Sequence, residues 1–185
     1  MRELASAYRE LGHIALCLTE HNYAITPESW ERQREEAASL SAEMNFPIIV
    51  GLEFWLPKTE EILVFGQEAC RSLLELDDII VIKDFNDWYI SQKDPFALIL
   101  AHPYLWTDAP DLYLLMDGYE VVNTGLAWDD NYVKKMEQWM PSPRRAYKGQ
   151  DTHSLADLHH PCNEVEDLII RDETDLIKYL SVIYL

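Results

Sequence analysis

Side chains that can hold a divalent ion recur where the apolar runs of this chain end. Ile14-Ala-Leu-Cys-Leu18 leads into Thr19-Glu20-His21-Asn22, and Pro47-Ile-Ile-Val50 leads into Gly51-Leu52-Glu53. Ala97-Leu-Ile-Leu100 leads into Ala101-His102-Pro103, and Tyr119-Glu-Val-Val122 into Asn123. Tyr147-Lys-Gly149 leads into Gln150-Asp151-Thr152-His153. Imidazole and carboxylate together are the usual donors for catalytic divalent ions. One such residue after an apolar run is commonplace. The same types after several runs predict convergence on one metal centre.

Convergence requires the runs to be neighbouring strands. Short continuous Val/Ile/Leu runs read as buried parallel strands, and in α/β barrels the chemistry collects where strands finish. The intervening segments read as helices. Leu4, Ala5, Tyr8 and Leu11 share one helical face, and Gly12 follows as a C-terminal cap. Thr26-Pro27-Glu28 offers a capping hydroxyl, a proline at the first helical position and an acid at the positive end, starting a helix that runs to Met44. Ile62–Phe65 predicts a third short strand. Further helices are expected over 69–76, 84–92, 111–116, 130–140 and 174–183, and a short strand over 167–170. Residues 79–82 read either way. Without a repeat, low-complexity tract or linker, 1–185 is expected to be a single domain. The alternation predicts a parallel sheet with right-handed crossovers, an open or closed α/β barrel.

Composition narrows the function. The chain is 48% hydrophobic and 26% charged, with a net charge of −18 from 33 acids and 15 bases. Such a surface repels phosphate backbones and disfavours nucleic acid as a partner. A small phosphorylated substrate remains compatible, because metal ions invert the field inside a pocket. Cys17, Cys70 and Cys162 form neither a disulfide framework nor a zinc knuckle, and Cys17 inside its apolar run predicts a buried structural thiol. Neither a signal peptide at Met1-Arg-Glu-Leu-Ala nor a membrane span of ~18 apolar residues is apparent, so a cytoplasmic protein without a membrane partner is expected.

In this order, Thr19-Glu20-His21-Asn22, Gly51-Leu52-Glu53, Ala101-His102-Pro103, Glu120-Val-Val-Asn123 and Gly149-Gln150-Asp151-Thr152-His153 resemble the motifs of the PHP (polymerase and histidinol phosphatase) domain family, over nearly the whole chain. The resemblance implies a distorted (β/α)7-type barrel with two or three divalent metals, commonly zinc, manganese or iron. Relatives hydrolyse phosphate esters, and the implied partner is a small phosphorylated substrate. Carried over by position, His21, Glu53, His102, Asp151 and His153 match metal ligands, with His21 and Asp151 also in the catalytic set. Glu20 matches an acidic position beside a ligand histidine, with a proton-handling role.

The pattern departs from the family at its start. The family opens on a strand bearing His-x-His, and the chain lacks such a strand before the helix near Met1. A barrel without that strand would leave exposed sheet edges, through which copies of the chain could associate. Near Glu61, where many relatives carry a ligand histidine, the sequence reads Glu60-Glu61-Ile62. Glutamate binds hard divalent ions, so replacement is chemically reasonable. Two functions are therefore expected in competition: a metal-dependent phosphoesterase, and a PHP-like fold with lost catalysis serving as a binding or regulatory module. Residue by residue, plainer readings also stand. Asp151 could close a turn, Asn123 a strand end, and Glu53 could be a solvated loop acid. Trp55, Tyr104 and Trp106 could wall a pocket or cover the core. His13, His159 and His160 read as structural or surface residues.

Overall fold

The computed structural model describes residues 1–56, 60–76, 82–102, 110–123, 126–127, 134, 138, 145–155, 158 and 167–181. Most of the expected helix over 130–140, residues 79–81, and Pro103, Tyr104, Trp106, His159, His160 and Cys162 lie outside them.

The first helix, α1 (Arg2–Glu10), buries Ala5 and Tyr8, and Gly12 takes the left-handed φ of 88° that turns the chain away. Strand β1 (Leu16–His21) follows; it starts two residues later than the apolar run, because Ile14 is exposed before the strand begins. Helix α2 (Pro27–Met44) opens on reciprocal capping. Thr26 Oγ1 accepts from the Ser29 amide at 3.2 Å, and Ser29 Oγ accepts from the Thr26 amide at 2.8 Å. Left-handed Asn45 closes it. Then come β2 (Ile48–Trp55), β3 (Glu61–Phe65), α3 (Gln67–Leu74), α4 (Ile82–Ser91), β4 (Ala97–Ala101), α5 (Pro110–Tyr113), β5 (Gly118–Asn123), β6 (Leu126–Ala127), β7 (Arg145–Lys148) and α6 (Glu173–Leu180). The strand expected over 167–170 does not form: Asp167 sits at a φ of 55°, outside extended space, and Ile169 is exposed.

The sheet is mixed, which corrects the parallel expectation. Its order is β1-β2-β3-β4-β5-β6, with β7 also paired to β5. The pairs β1–β2, β4–β5 and β5–β7 are parallel, while β3 runs antiparallel to both neighbours and β6 is antiparallel to β5. The reason lies in chain length. Only residues 56–60 separate β2 from β3, and a parallel crossover needs a dozen or more. The result is a mixed α/β fold whose curled sheet forms a partial α/β barrel. Among the described residues β1 pairs only with β2, so its other edge is open.

Alternation along the strands sorts side chains to two faces. Ile48, Val50, Leu52 and Phe54 of β2 and Leu98 and Leu100 of β4 pack with Trp30, Leu40, Leu73, Phe85 and Trp88 of the helices. The intervening Ile49, Phe65, Ala97 and Ile99 form a second cluster with Tyr147, Ile170 and the α6 residues Leu176, Ile177 and Leu180. Cys17 belongs to this concave side. It is solvent-reachable through a cavity yet surrounded by protein, so desolvation pushes its thiol up to about 12, with Glu173 adding to the shift. The buried Cys17 expected from the sequence is therefore corrected: among the described residues β1 pairs only with β2, and the thiol faces the cavity. Cys70 is the close-packed one, its Sγ bonding to the Val64 carbonyl at 3.3 Å.

Candidate metal centre

Strand parity and register assemble the centre. In the parallel β1–β2 pair, His21 lies opposite Glu53; in the antiparallel β3–β4 pair, Glu61 lies opposite Ala101, one residue before His102. His21, Glu53 and Glu61 thus reach the same end of the concave face, and His102, just past the end of β4, meets them there. His21, Glu53 and Glu61 place donor atoms within 4.8 Å of one another, a group able to hold a metal ion. His21 Nδ1 is 3.7 Å from Glu53 Oε2 and 3.7 Å from Glu61 Oε1. These separations are too long for hydrogen bonds but near the spacing of donors that share one ion at ~2.0–2.2 Å. His21 Nδ1 is buried and makes no hydrogen bond among the described residues. A buried nitrogen in that position, aimed between two carboxylates, is the expected form of a ligand atom.

His102 closes the group. Its Nε2 lies 3.0 Å from Glu53 Oε1 and 3.2 Å from Glu61 Oε2. Burial alone would lower its pKa, but the hydrogen bond to Glu53 and the charges of Glu53, Glu120 and Glu61 lift it to about 9. The Glu61 carboxyl is raised above its usual range, first by burial, with Glu53 and Asp151 adding and His102 and His21 opposing. Three carboxylates, Glu53, Glu61 and Glu120, thus crowd two imidazoles in a desolvated place. The excess negative charge matches a divalent cation, to which imidazole and carboxylate together are suitable donors.

Glu120 was not singled out by the sequence, which pointed to Asn123 instead. It is buried within β5, and its Oε2 accepts from the His102 amide at 2.6 Å. Gly149 makes room for it: a Cβ there would fall 1.7 Å from Glu120 Oε1. The available signal was an acid inside an apolar run. Asp151 takes a φ of 44° after β7 and lines the same cavity, close enough for its charge to act on Glu61. His153 is less engaged: its side chain is 71% exposed, with Nδ1 only 2.9 Å from the Asp151 carbonyl oxygen. Thr152 ties this loop to α1 through a 2.7 Å bond with the Tyr8 hydroxyl. Glu20, one residue from His21, falls on the opposite face of β1 by parity; it is exposed at the cavity rim. Asn123 ends β5, and its side chain lies outside the described residues.

The cavity beneath the centre measures about 810 Å³. Its walls run from the polar end at His21, Glu53 and His102 to an apolar floor of Phe65, Ile99 and Leu180. The small inward residues Cys17, Thr19 and Ala101 line it, whereas Gly51 is covered by the Phe65 ring. Full barrels normally fill this volume with layered side chains.

No family model and no curated protein matches the sequence. Solved structures do match in fold. PsfC from Pseudomonas syringae PB-5123 aligns with a TM-score of 0.64 and 18% identity over 95% of this chain and 78% of PsfC. A "putative metal-dependent phosphoesterase" from Bifidobacterium adolescentis ATCC 15703 aligns with a TM-score of 0.56 and 14% identity over 97% of this chain and 89% of that one. At these identities the likeness establishes a shared fold. No helix among the described residues is long and apolar enough to cross a membrane.

Proposed function

We propose that this protein is a metal-dependent phosphoesterase of the PHP type, a single domain on a distorted (β/α)7-like barrel, acting on a small phosphorylated substrate. The observation that carries the reading is the buried His21 Nδ1 facing Glu53 and Glu61, all within 4.8 Å. His21, Glu53 and Glu61 would hold the ion, with His102 and Asp151 beside them. A bound divalent ion supplies a water of lowered pKa and positive charge against the phosphate oxygens. The chain's own residues do the rest. Glu120 fixes the His102 backbone, and Gly149 lets that carboxylate seat. Glu53 and Glu61 can accept the proton lost by the attacking water. As the water oxygen bonds to phosphorus, the ester P–O bond breaks and the alcohol leaves with the proton that the carboxylate took from the water. Glu20, exposed at the rim, is assigned proton exchange with solvent rather than contact with phosphate.

A second reading, a metal-bearing binding module without turnover, draws support from the outward-turned His153. One experiment separates the two. Chelator-treated protein is titrated with Zn, Mn and Fe(II), metal content is measured, and the loaded protein is assayed on a panel of phosphate monoesters. Uptake with hydrolysis is expected, and His102→Ala should weaken metal affinity more than tenfold. Uptake without hydrolysis of any ester selects the binding module. A folded protein that takes up none of the three metals ends both readings.

A further inference from the structure

The candidate metal centre draws on both sides of an opening in the sheet. Among the described residues β1 pairs only with β2, and β7 only with β5. The large cavity lies between these two edges, and its wall includes every residue of 14–21 on one side and of 147–153 on the other. His21, Glu53 and Glu61 belong to the β1–β2–β3 side, whereas Asp151 follows β7. The hydrogen-bond ladder that registers neighbouring strands does not set β7 directly against β1. Asp151 therefore needs another means of being held at a fixed distance from the group across the opening.

Helix α1 supplies one. It is fastened to the end of α2 from two places: Arg2 Nη1 and Nη2 donate to the two Glu43 carboxylate oxygens at 2.6 Å each, and Arg9 Nη1 donates to the Met44 carbonyl at 2.9 Å. From that anchored helix the buried Tyr8 reaches Thr152, with 2.7 Å between the two hydroxyl oxygens. The His13 ring meets the Tyr8 ring edge-on, centroids 4.8 Å apart and planes at 65°, which steadies it. Thr152 sits between Asp151 and His153. Asp151 has a φ of 44°, a conformation that residues with a side chain adopt rarely and keep where surrounding contacts impose it. The bond from Tyr8 to the next residue is one such contact, and the approach of His153 Nδ1 to the Asp151 carbonyl oxygen is another.

We propose that Tyr8 is a positioning residue of the metal centre: through Thr152 its hydroxyl holds Asp151 in register with His21, Glu53 and Glu61 across the open part of the sheet. The inference rests on the metal-dependent reading of that centre and adds the element that sets its geometry. It makes α1 part of the site's framework, so that a displacement of this helix is felt at the metal.

The test is a double-mutant cycle on metal affinity, run by titrating chelator-treated protein with Zn and Mn. Tyr8→Phe keeps the ring and removes the hydroxyl. It should weaken metal binding by about tenfold, the low end for groups that support a ligand, while the thermal midpoint of the metal-free protein moves by less than about 4 °C. In an Asp151→Asn background the same change should cost less than about twofold, because the residue it positions no longer carries its charge. Thr152→Ser should keep the affinity and Thr152→Val should lose it as Tyr8→Phe does. Hydrogen exchange at the Thr152 and His153 amides of metal-free protein should be faster in Tyr8→Phe. Unchanged affinity in Tyr8→Phe would overturn the proposal, and so would an equal loss in the Asp151→Asn background or unchanged exchange in the loop. Failure of the phosphoesterase reading looks different. A protein that binds metal without hydrolysing any ester leaves the cycle intact, and in one that takes up no metal the exchange measurement still decides whether Tyr8 holds the loop.

Discussion

The helix-covered and concave faces of this sheet are made by alternate residues of the same strands, yet they are filled to different degrees. On β2, Ile48, Val50, Leu52 and Phe54 turn toward the helices, whereas Ile49, Gly51 and Glu53 turn inward. The outward set meets Trp30, fully buried with its indole nitrogen bonded to the Gly51 carbonyl at 3.0 Å. Of the inward set, Ile49 packs in the second apolar cluster and Gly51 lies against the Phe65 ring, while Glu53 meets a cavity of about 810 Å³. Packing on one side supports the fold, and its sparseness on the other gives the acids and imidazoles somewhere to act. The difference teaches that stability and metal binding should be separable by mutation, one face at a time.

Trp30→Ala tests the packed face and should have the largest effect, lowering unfolding free energy by about 3–5 kcal/mol in denaturant titration. Metal affinity of the molecules that remain folded should be unchanged; a large loss there would mean the faces are coupled. Glu53→Gln tests the concave face. It keeps shape and a hydrogen bond to His102 but removes a ligand charge, so metal affinity should fall on the order of 100-fold while metal-free stability shifts by less than about 1 kcal/mol. Comparable affinity in the variant would remove Glu53 from the centre.

Gly149→Ala sharpens the comparison one layer out. The new Cβ would displace the Glu120 carboxylate, and loss of a residue that supports a ligand typically costs about tenfold in metal affinity. Unchanged affinity would show that Glu120 does not set the position of His102. The smallest effect concerns Glu173, at the start of α6 where the concave cluster meets α3. Burial raises its pKa above the usual 4.5, against Arg34 and the Gly66 and Gln67 amides. A raised folded value means that its stabilising contribution is complete below the unfolded pKa and is lost as pH rises through the folded one. The stability of the unaltered protein relative to Glu173→Gln should therefore increase as pH is lowered from 8 toward 4. A flat or opposite trend in urea titrations would contradict this.

What the sequence disclosed follows from what periodicity can encode. Apolar runs located β1, β2, β4 and β5, and the residues after them led to His21, Glu53 and His102. The direction of β3 was not legible in its apolar pattern, because alternation reads the same both ways; only the brevity of residues 56–60 carried it. Glu61 was visible as a position in the family pattern, but its role depends on where β3 pairs. Glu120 escaped because it lies inside an apolar run rather than after it. Glu20 and His21 were both expected in the catalytic set, yet adjacent residues on a strand face opposite ways.

The hairpin of β2 and β3 also gives the centre a history. Glu53 and Glu61 are eight positions apart and come together as soon as that hairpin closes, whereas His21 and His102 arrive on strands from either side. Local contacts form before distant ones, since short loops close at less entropic cost. During synthesis and refolding, two like charges are thus drawn together before either imidazole is present to temper them. A metal-sensitive dye followed during refolding would release its ion late, when the strands bearing His21 and His102 have docked, marking a late registration of the sheet rather than its first.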